Sequence, residues 1–184
     1  MSMIRASINE IFYPLPETHV TRTGVIPFAL SEDTEFWLLG RLVKSNRYSD
    51  FGGQCLVTIG ETPYECLLRE VEEESNGLLN EEIKNKLDSI FEAVDIHHQD
   101  VDDQIIVWKW INRNNPQDLS YLIFIELDNP DLVDITDRFE GNEENRLIGW
   151  YDLKYLQETA TISDFNTSIQ KYLRQLGLFK KTSA

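Results

Sequence analysis

Apolar positions along this chain recur with two different periods. Thr21 to Ala29, rich in Thr, Val, Ile and Phe, and Glu35 to Val43 read as strands, with Ser31 to Thr34 as the turn between them. Gly52-Gly53 breaks the chain, and Gln54 to Ile59 returns as a short strand or a loop. The period then changes. Residues placed about 100° apart from Tyr64 onward gather Tyr64, Leu67, Leu68, Val71 and Leu78 into one stripe, the mark of a helix lying on a sheet. Thr62 is its cap, Pro63 its first position and Glu65 the partner in a capping box. The helix runs through Ser75 and stops at Asn76-Gly77. A second helix covers Glu81 to Ser89, capped by Asn80. Phe91 to Ile96, Gln104 to Ile111 and Tyr121 to Leu127 read as strands, the last two forming a hairpin around Asn114-Asn115-Pro116-Gln117-Asp118. Arg146 to Trp150 is a further short strand. Tyr151 to Gln157 and Asp164 to Leu176 read as helices, the latter capped by Ser163 and ended near Gly177. Strands with helices set between them predict the α/β (α+β) class, a mixed sheet covered by helices on both faces.

Length changes this picture little: 184 residues fit one domain, spanning 1–184, with a core that needs no staples. No apolar run approaches the roughly 18 residues of a membrane span, and Met1 to Glu10 lacks the basic and apolar stretches of a signal peptide, so a cytoplasmic protein is expected. Cys55 and Cys66 have neither redox nor zinc spacing and read as two reduced, partly buried thiols. The charge matters more. At −15, the chain repels polyanions and argues against broad nucleic-acid binding. A small phosphorylated substrate stays compatible, since bound divalent cations reverse the local field.

Chemistry concentrates on the first helix. Glu70, Glu73 and Glu74 share a stripe beside the apolar one, because positions i, i+3 and i+4 are neighbours, while Glu72 points away. Three like charges on one face cost a bare helix a few tenths of a kcal/mol per pair. A hard cation offsets that, and Mg²⁺ prefers carboxylate oxygens. The plain alternative is an acidic, solvated helix face.

The surroundings favour the cation. The segment from Gly52 to Gly77 reads GGQCLVTIGETPYECLLREVEEESNG, and it resembles the box of the Nudix hydrolases: a Gly, a Glu, then Arg-Glu-hydrophobic-x-Glu-Glu and a closing Gly. The resemblance covers 52–77 and implies a Nudix-type α/β/α sandwich that hydrolyses a diphosphate linkage with Mg²⁺, for which Mn²⁺ can substitute. Two features depart from the pattern. Seven residues separate Gly53 from Glu61, a longer interval than the family keeps, and the closing Gly comes one place late, with Asn76 in its position. The SDFGG and EES wording resembles decapping and diphosphoinositol hydrolases of large DNA viruses.

By resemblance, Glu70 and Glu74 are metal ligands, with the Gly53 backbone a further candidate. Glu73 shares that shell or polarises the attacking water. Arg69 pairs with Glu61 and holds the loop against the helix. The general base comes from the helix or from the late loop Gly141 to Asn145, where Glu144 is the choice and Glu143 the reserve. No substrate-binding residue is assigned. Trp108, Trp110 and Tyr121 are strand aromatics, read as core in preference to a base-stacking cleft. His97 and His98 beside Asp100, Asp102 and Asp103 read as a polar loop, and Tyr48, Ser49 and Asp50 are expected to flank the active site, since they lead into Gly52-Gly53. The expected partner is a small phosphorylated nucleotide, such as ADP-ribose or a dinucleoside polyphosphate, with no membrane. Capped RNA, a diphosphoinositol phosphate and a homodimer stay open. The competing readings are a non-catalytic module of the same fold that binds a nucleotide or protein, and an acidic structural protein.

Overall fold

The computed structural model describes residues 2–14, 17–95, 104–127 and 133–177. Its strands are β1 (Ser2–Ala6), β2 (His19–Ser31), β3 (Thr34–Leu42), β4 (Tyr48–Ser49), β5 (Phe51–Gln54), β6 (Ile105–Ile111), β7 (Asp118–Glu126) and β8 (Asn145–Asp152). Its helices are α1 (Asn9–Phe12), α2 (Pro63–Ser75), α3 (Asn80–Asp95), α4 (Val133–Arg138), α5 (Leu153–Thr159) and α6 (Thr167–Leu176). The strands form one mixed sheet in the order β1-β6-β7-β2-β3-β4, with β5 paired to β2 and β8 to β3. β2 and β7 run parallel. The other pairings among these strands are antiparallel.

Successive residues of a strand point to opposite faces. Val25, Leu38, Phe51 and Ile123 meet Ile11 of α1, Leu67 and Val71 of α2, and Ile83 and Leu87 of α3. Ile26, Leu39, Trp37 and Phe124 meet Leu156 of α5 and Ile169, Tyr172 and Leu173 of α6. The result is the expected α/β/α arrangement. Because both faces are covered, the central strands are apolar throughout, as in Val25 to Phe28.

The sheet forks at β2. Its outer half, Phe28 to Ser31, pairs with β3, while Arg22 to Val25 pair with β5. The glycines of β5 therefore lie between the parting strands, beneath α2.

Several expectations need correction. Phe91 to Asp95 is helical, not a strand: α3 continues to Asp95 because Ile83, Leu87 and Ile90, four and three apart, bury one continuous stripe. Ile96 lies outside the described residues. Gln54 to Ile59 splits into the end of β5 and a short 3-10 turn, Val57–Ile59, closed by left-handed Gly60. The last helix starts at Thr167, since Asn166 and not Ser163 caps it; its side chain accepts from Ile169 N at 3.1 Å. β8 extends through Asp152, whose carboxylate caps α5. β1, α1 and α4 were not anticipated. The hairpin of β6 and β7 forms as expected.

Cys55 and Cys66 are joined as a disulfide, not free thiols. The bond ties the loop after β5 to the second turn of α2. Eleven residues of sequence separation predict about 3 kcal/mol from denatured-state entropy. Reductant should therefore lower Tm by roughly 6–12 °C. An unchanged melting curve, with both thiols shown free by alkylation, would rule out that contribution. In a reducing compartment the bond would open. No helix among the described residues is long and apolar enough to cross a membrane.

Candidate active site

α2 is specified locally at both ends. Thr62 Oγ1 accepts from Glu65 N at 3.2 Å, and Glu65 Oε2 accepts from Thr62 N at 2.9 Å, so two orphan donors are satisfied reciprocally. These bonds favour the ionised form of Glu65 and lower its pKa. Asn76 ends the helix in the left-handed region at φ 55°, which an amide side chain tolerates. Between these stops, Leu67 and Val71 are fully buried, and Tyr64, Leu68 and Leu78 pack against the same core.

That anchoring rotates the adjacent stripe into the fork. Glu70 is 7% exposed and Glu74 3%, whereas Glu73 and Glu72 face solvent. Burial is the largest cause that raises Glu70, offset by the Arg69 guanidinium and reinforced by the charges of Glu73 and Glu144. Burial also pushes Glu74 up to about 10; the charges of Asp50 and Glu144 and a side-chain hydrogen bond with Glu144 add to it, while Arg22 opposes. Gly53 bears on the Glu70 carboxylate. A Cβ on it would lie 2.3 Å from Glu70 Oε2, so any side chain there would push the carboxylate aside.

Arg69 is the clamp that the sequence anticipates. Its Nε donates to Glu61 Oε1 at 2.8 Å and its Nη2 to Glu61 Oε2 at 3.1 Å, a bidentate pair. Nη2 also donates to Gln54 O at 2.9 Å, and Nη1 to Glu70 Oε1 at 2.7 Å. The pairing lowers the Glu61 pKa. Glu61 Oε2 in turn accepts from Leu56 N at 2.7 Å. The long interval from Gly53 to Glu61 is thus folded back on α2 by the 3-10 turn, the disulfide and this clamp. The longer loop leaves Gly53 beside Glu70.

Two further groups pack at the fork. Asp50 is fully buried on the other side of the fork, where Arg22 Nη2 lies 2.9 Å from its Oδ2 and Asn166 Nδ2 donates to its Oδ1 at 2.6 Å. The loop before β8 packs on the end of α2. Asn142 Nδ2 donates to Glu73 O at 2.9 Å and Glu74 O at 3.0 Å. Asn145 is fully buried, with Nδ2 3.4 Å from Glu74 O. A Cβ on Gly40 would meet its Oδ1 at 2.4 Å. Asn145 Oδ1 finds no hydrogen-bond partner among the described residues. The Asn-rich loop before a strand was the available signal for this contact.

The remaining candidates separate cleanly. Both loop glutamates are solvent-exposed, and of the two Glu144 interacts with Glu74. Trp108 and Trp110 share the α6 face of the sheet and pack in its core, while Tyr121 is buried on the opposite face, where its hydroxyl donates to Glu10 at 3.1 Å. Tyr48 packs edge-on against Tyr151 at 4.9 Å, beneath Arg41, and Ser49 is held by Asn166. His97, His98, Asp100, Asp102 and Asp103 lie outside the described residues.

What remains at the fork is a set of hard oxygen donors, with Glu70, Glu74 and Asp50 buried, beside which Arg69 and Arg22 are the cations in the described contacts. That donor chemistry fits Mg²⁺ or Mn²⁺ and not a soft metal.

No known family pattern and no curated protein matches the chain. Solved structures are similar to it at low identity. A Caenorhabditis elegans Ap4A hydrolase binary complex aligns over 86% of this chain and 96% of its own, at 15% identity and a TM-score of 0.48. The NUDIX domain of Shewanella oneidensis NrtR, complexed with ADP ribose, aligns over 93% and 99%, at 10% identity and 0.47. A bifunctional NMN adenylyltransferase/ADP ribose pyrophosphatase from Francisella tularensis, complexed with AMP and a Mn ion, aligns over 92% of this chain and 45% of its own, at 14% identity and 0.47.

Proposed function

We propose that this protein is a Nudix-type, Mg²⁺-dependent hydrolase that cleaves the diphosphate linkage of a nucleoside diphosphate joined to another group. The observation that carries this reading is the convergence of buried Glu70 and Glu74 with Glu73 and Glu144 at one mouth of the fork, held by the Arg69–Glu61 clamp. Buried carboxylates without cations are costly, and evolution keeps such clusters where a ligand relieves them.

In this reading Glu70 and Glu74 hold the metal, with Glu73 at its edge and the Gly53 backbone leaving room beneath. The cation, when bound, neutralises charge on the bridging diphosphate and favours an ionised water. Glu144, on the exposed lip and in hydrogen-bond contact with Glu74, accepts the proton of the attacking water. Glu73 is 56% exposed and orients that water from the helix side. Arg69 touches no reacting atom; its work is to fix Glu70 and the loop. ADP-ribose and dinucleoside polyphosphates suit the strong negative charge better than capped RNA or a diphosphoinositol phosphate. A non-catalytic binding module of the same fold would leave the converging carboxylates without a use.

The test is product release from ADP-ribose, diadenosine tetraphosphate, capped RNA and a diphosphoinositol phosphate, with Mg²⁺ or Mn²⁺ and with chelator. Metal-dependent hydrolysis of one of the nucleotides is expected. Metal binding without turnover of any compound would favour the binding module.

A further inference from the structure

Helix α2 ends where its chemistry lies. The last carbonyls of a helix have no partner within it. Glu72 O is taken by the N–H groups of Asn76 and Gly77, but Glu73 O and Glu74 O belong to the very residues whose side chains form the candidate site. The carboxylates also sit toward the negative end of the helix dipole, which disfavours them. Donors supplied from outside the helix satisfy these carbonyls.

One side chain supplies most of them. Asn142 Nδ2 donates to Glu73 O, to Glu74 O and, at 3.2 Å, to Asn76 Oδ1. Its other end belongs to the loop: Oδ1 accepts from Glu144 N at 3.0 Å and from Asn145 N at 2.7 Å. Asn142 N donates to Asn145 O at 2.8 Å, and Asn76 Nδ2 returns a bond to Gly141 O at 3.2 Å. A single amide thus spans the two pieces of chain that carry the acidic groups, bonded on one side to the backbone of Glu73 and Glu74 and on the other to the backbone of Glu144.

We infer that Asn142 is a positioning residue that holds the Glu144 loop in register with Glu73 and Glu74, so that the donor set closes around one cation. This rests on the proposed function of the same site. An amide is required because the role needs a donor toward the helix and an acceptor toward the loop at once. Asp supplies the acceptor alone and sets a negative charge against two carbonyl oxygens. A residue needed only for the turn of the loop would tolerate Asp, which makes such turns as readily as Asn.

The experiment compares Asn142→Asp, Asn142→Ala and Glu74→Gln with the parent. Mn²⁺ affinity is read from the spin-resonance signal of free Mn²⁺, and turnover from ADP-ribose and diadenosine tetraphosphate, whichever is hydrolysed. The expected result is a roughly tenfold weaker Mn²⁺ Kd for Asn142→Ala. For both Asn142 variants kcat should fall by about 10²-fold with KM little changed, as misplacement of a reacting group does. Asn142→Asp at parental kcat, or Asn142→Ala at parental Mn²⁺ Kd, overturns the inference. If Asn142→Ala does not fold, Asn142→Asp, which preserves the turn, decides, and its parental Mn²⁺ Kd then counts against the role as well. Glu74→Gln separates the two levels: parental Mn²⁺ binding in that variant defeats the reading of the site itself, not the role of Asn142.

Discussion

Glu74→Gln will melt at a higher temperature than the parent protein at pH 8 in the presence of chelator, and will have lost hydrolysis by about 10³-fold in Mg²⁺. Both effects come from one cause. Glu74 is 3% exposed, and burial first, then Asp50 and Glu144, raises its pKa from the ordinary 4.5 to about 10. A folded-state pKa above the unfolded value means that the native state binds the proton more tightly between those two pH values. The contribution of this group to stability is therefore fully present below about pH 4.5 and declines as pH rises toward 10. Gln presents the neutral form at every pH, so it removes the decline. At pH 8 the native parent must hold this carboxyl protonated well above its ordinary pKa, a cost that Gln does not carry and that is on the order of 3 kcal/mol, or roughly 6–12 °C in Tm for a chain of this size. Divalent metal should reverse the order: it stabilises the parent by mass action and the variant much less. Chelated melting curves from pH 5 to 9 provide the check. A Glu74→Gln protein no more stable than the parent at pH 8 would mean that folding does not raise the Glu74 pKa. A folded variant at parental turnover would remove Glu74 from the mechanism.

What the sequence disclosed and what it hid divide along local and non-local lines. α2 was legible to the residue because its signals are its own neighbours: Thr62 with Glu65, Pro63 at the first position, Asn76 at the end. The Arg69–Glu61 clamp was legible from the box resemblance. The α3 overrun is a case of ambiguity in short apolar runs: Phe91 to Asp95 has strand-like residues, and only the burial of Ile83, Leu87 and Ile90 on one stripe extends the helix through it. Asn142 and Asn145 act on α2 across more than 60 residues of chain, and no spacing rule reports that. The disulfide was missed for the same reason: proximity of Cys55 and Cys66 depends on how the loop after β5 folds back on α2.

The sequence places Asp50 beside the site but hides its partner Arg22, and Arg22→Met is the test of that pair. Asp50 is fully buried at the fork, and its carboxylate has two neighbours, the Arg22 guanidinium at 2.9 Å and the Asn166 amide at 2.6 Å. Arg22 is itself oriented by donation from Nη2 to Gly52 O at 2.9 Å, and it lies over Gly24, where any side chain would collide with it. Removing the guanidinium leaves a buried carboxylate with a neutral amide for company. Breaking a buried pair from one side costs about 3–5 kcal/mol, so Tm should drop by on the order of 10 °C. Arg22→Met with Asp50→Asn removes both charges, retains an acceptor for Asn166 and should recover most of the loss, because a neutral pair carries no comparable desolvation penalty. The site should register the same change. The charge of Arg22 lowers the Glu74 pKa and that of Asp50 raises it, so the single variant shifts Glu74 further toward its protonated form, while the double variant shifts it back. The rank order of chelated Tm is thus expected to be parent, double variant, single variant. A double variant as unstable as the single one would show that Arg22 acts through its packing over Gly24 and not through the charge of Asp50.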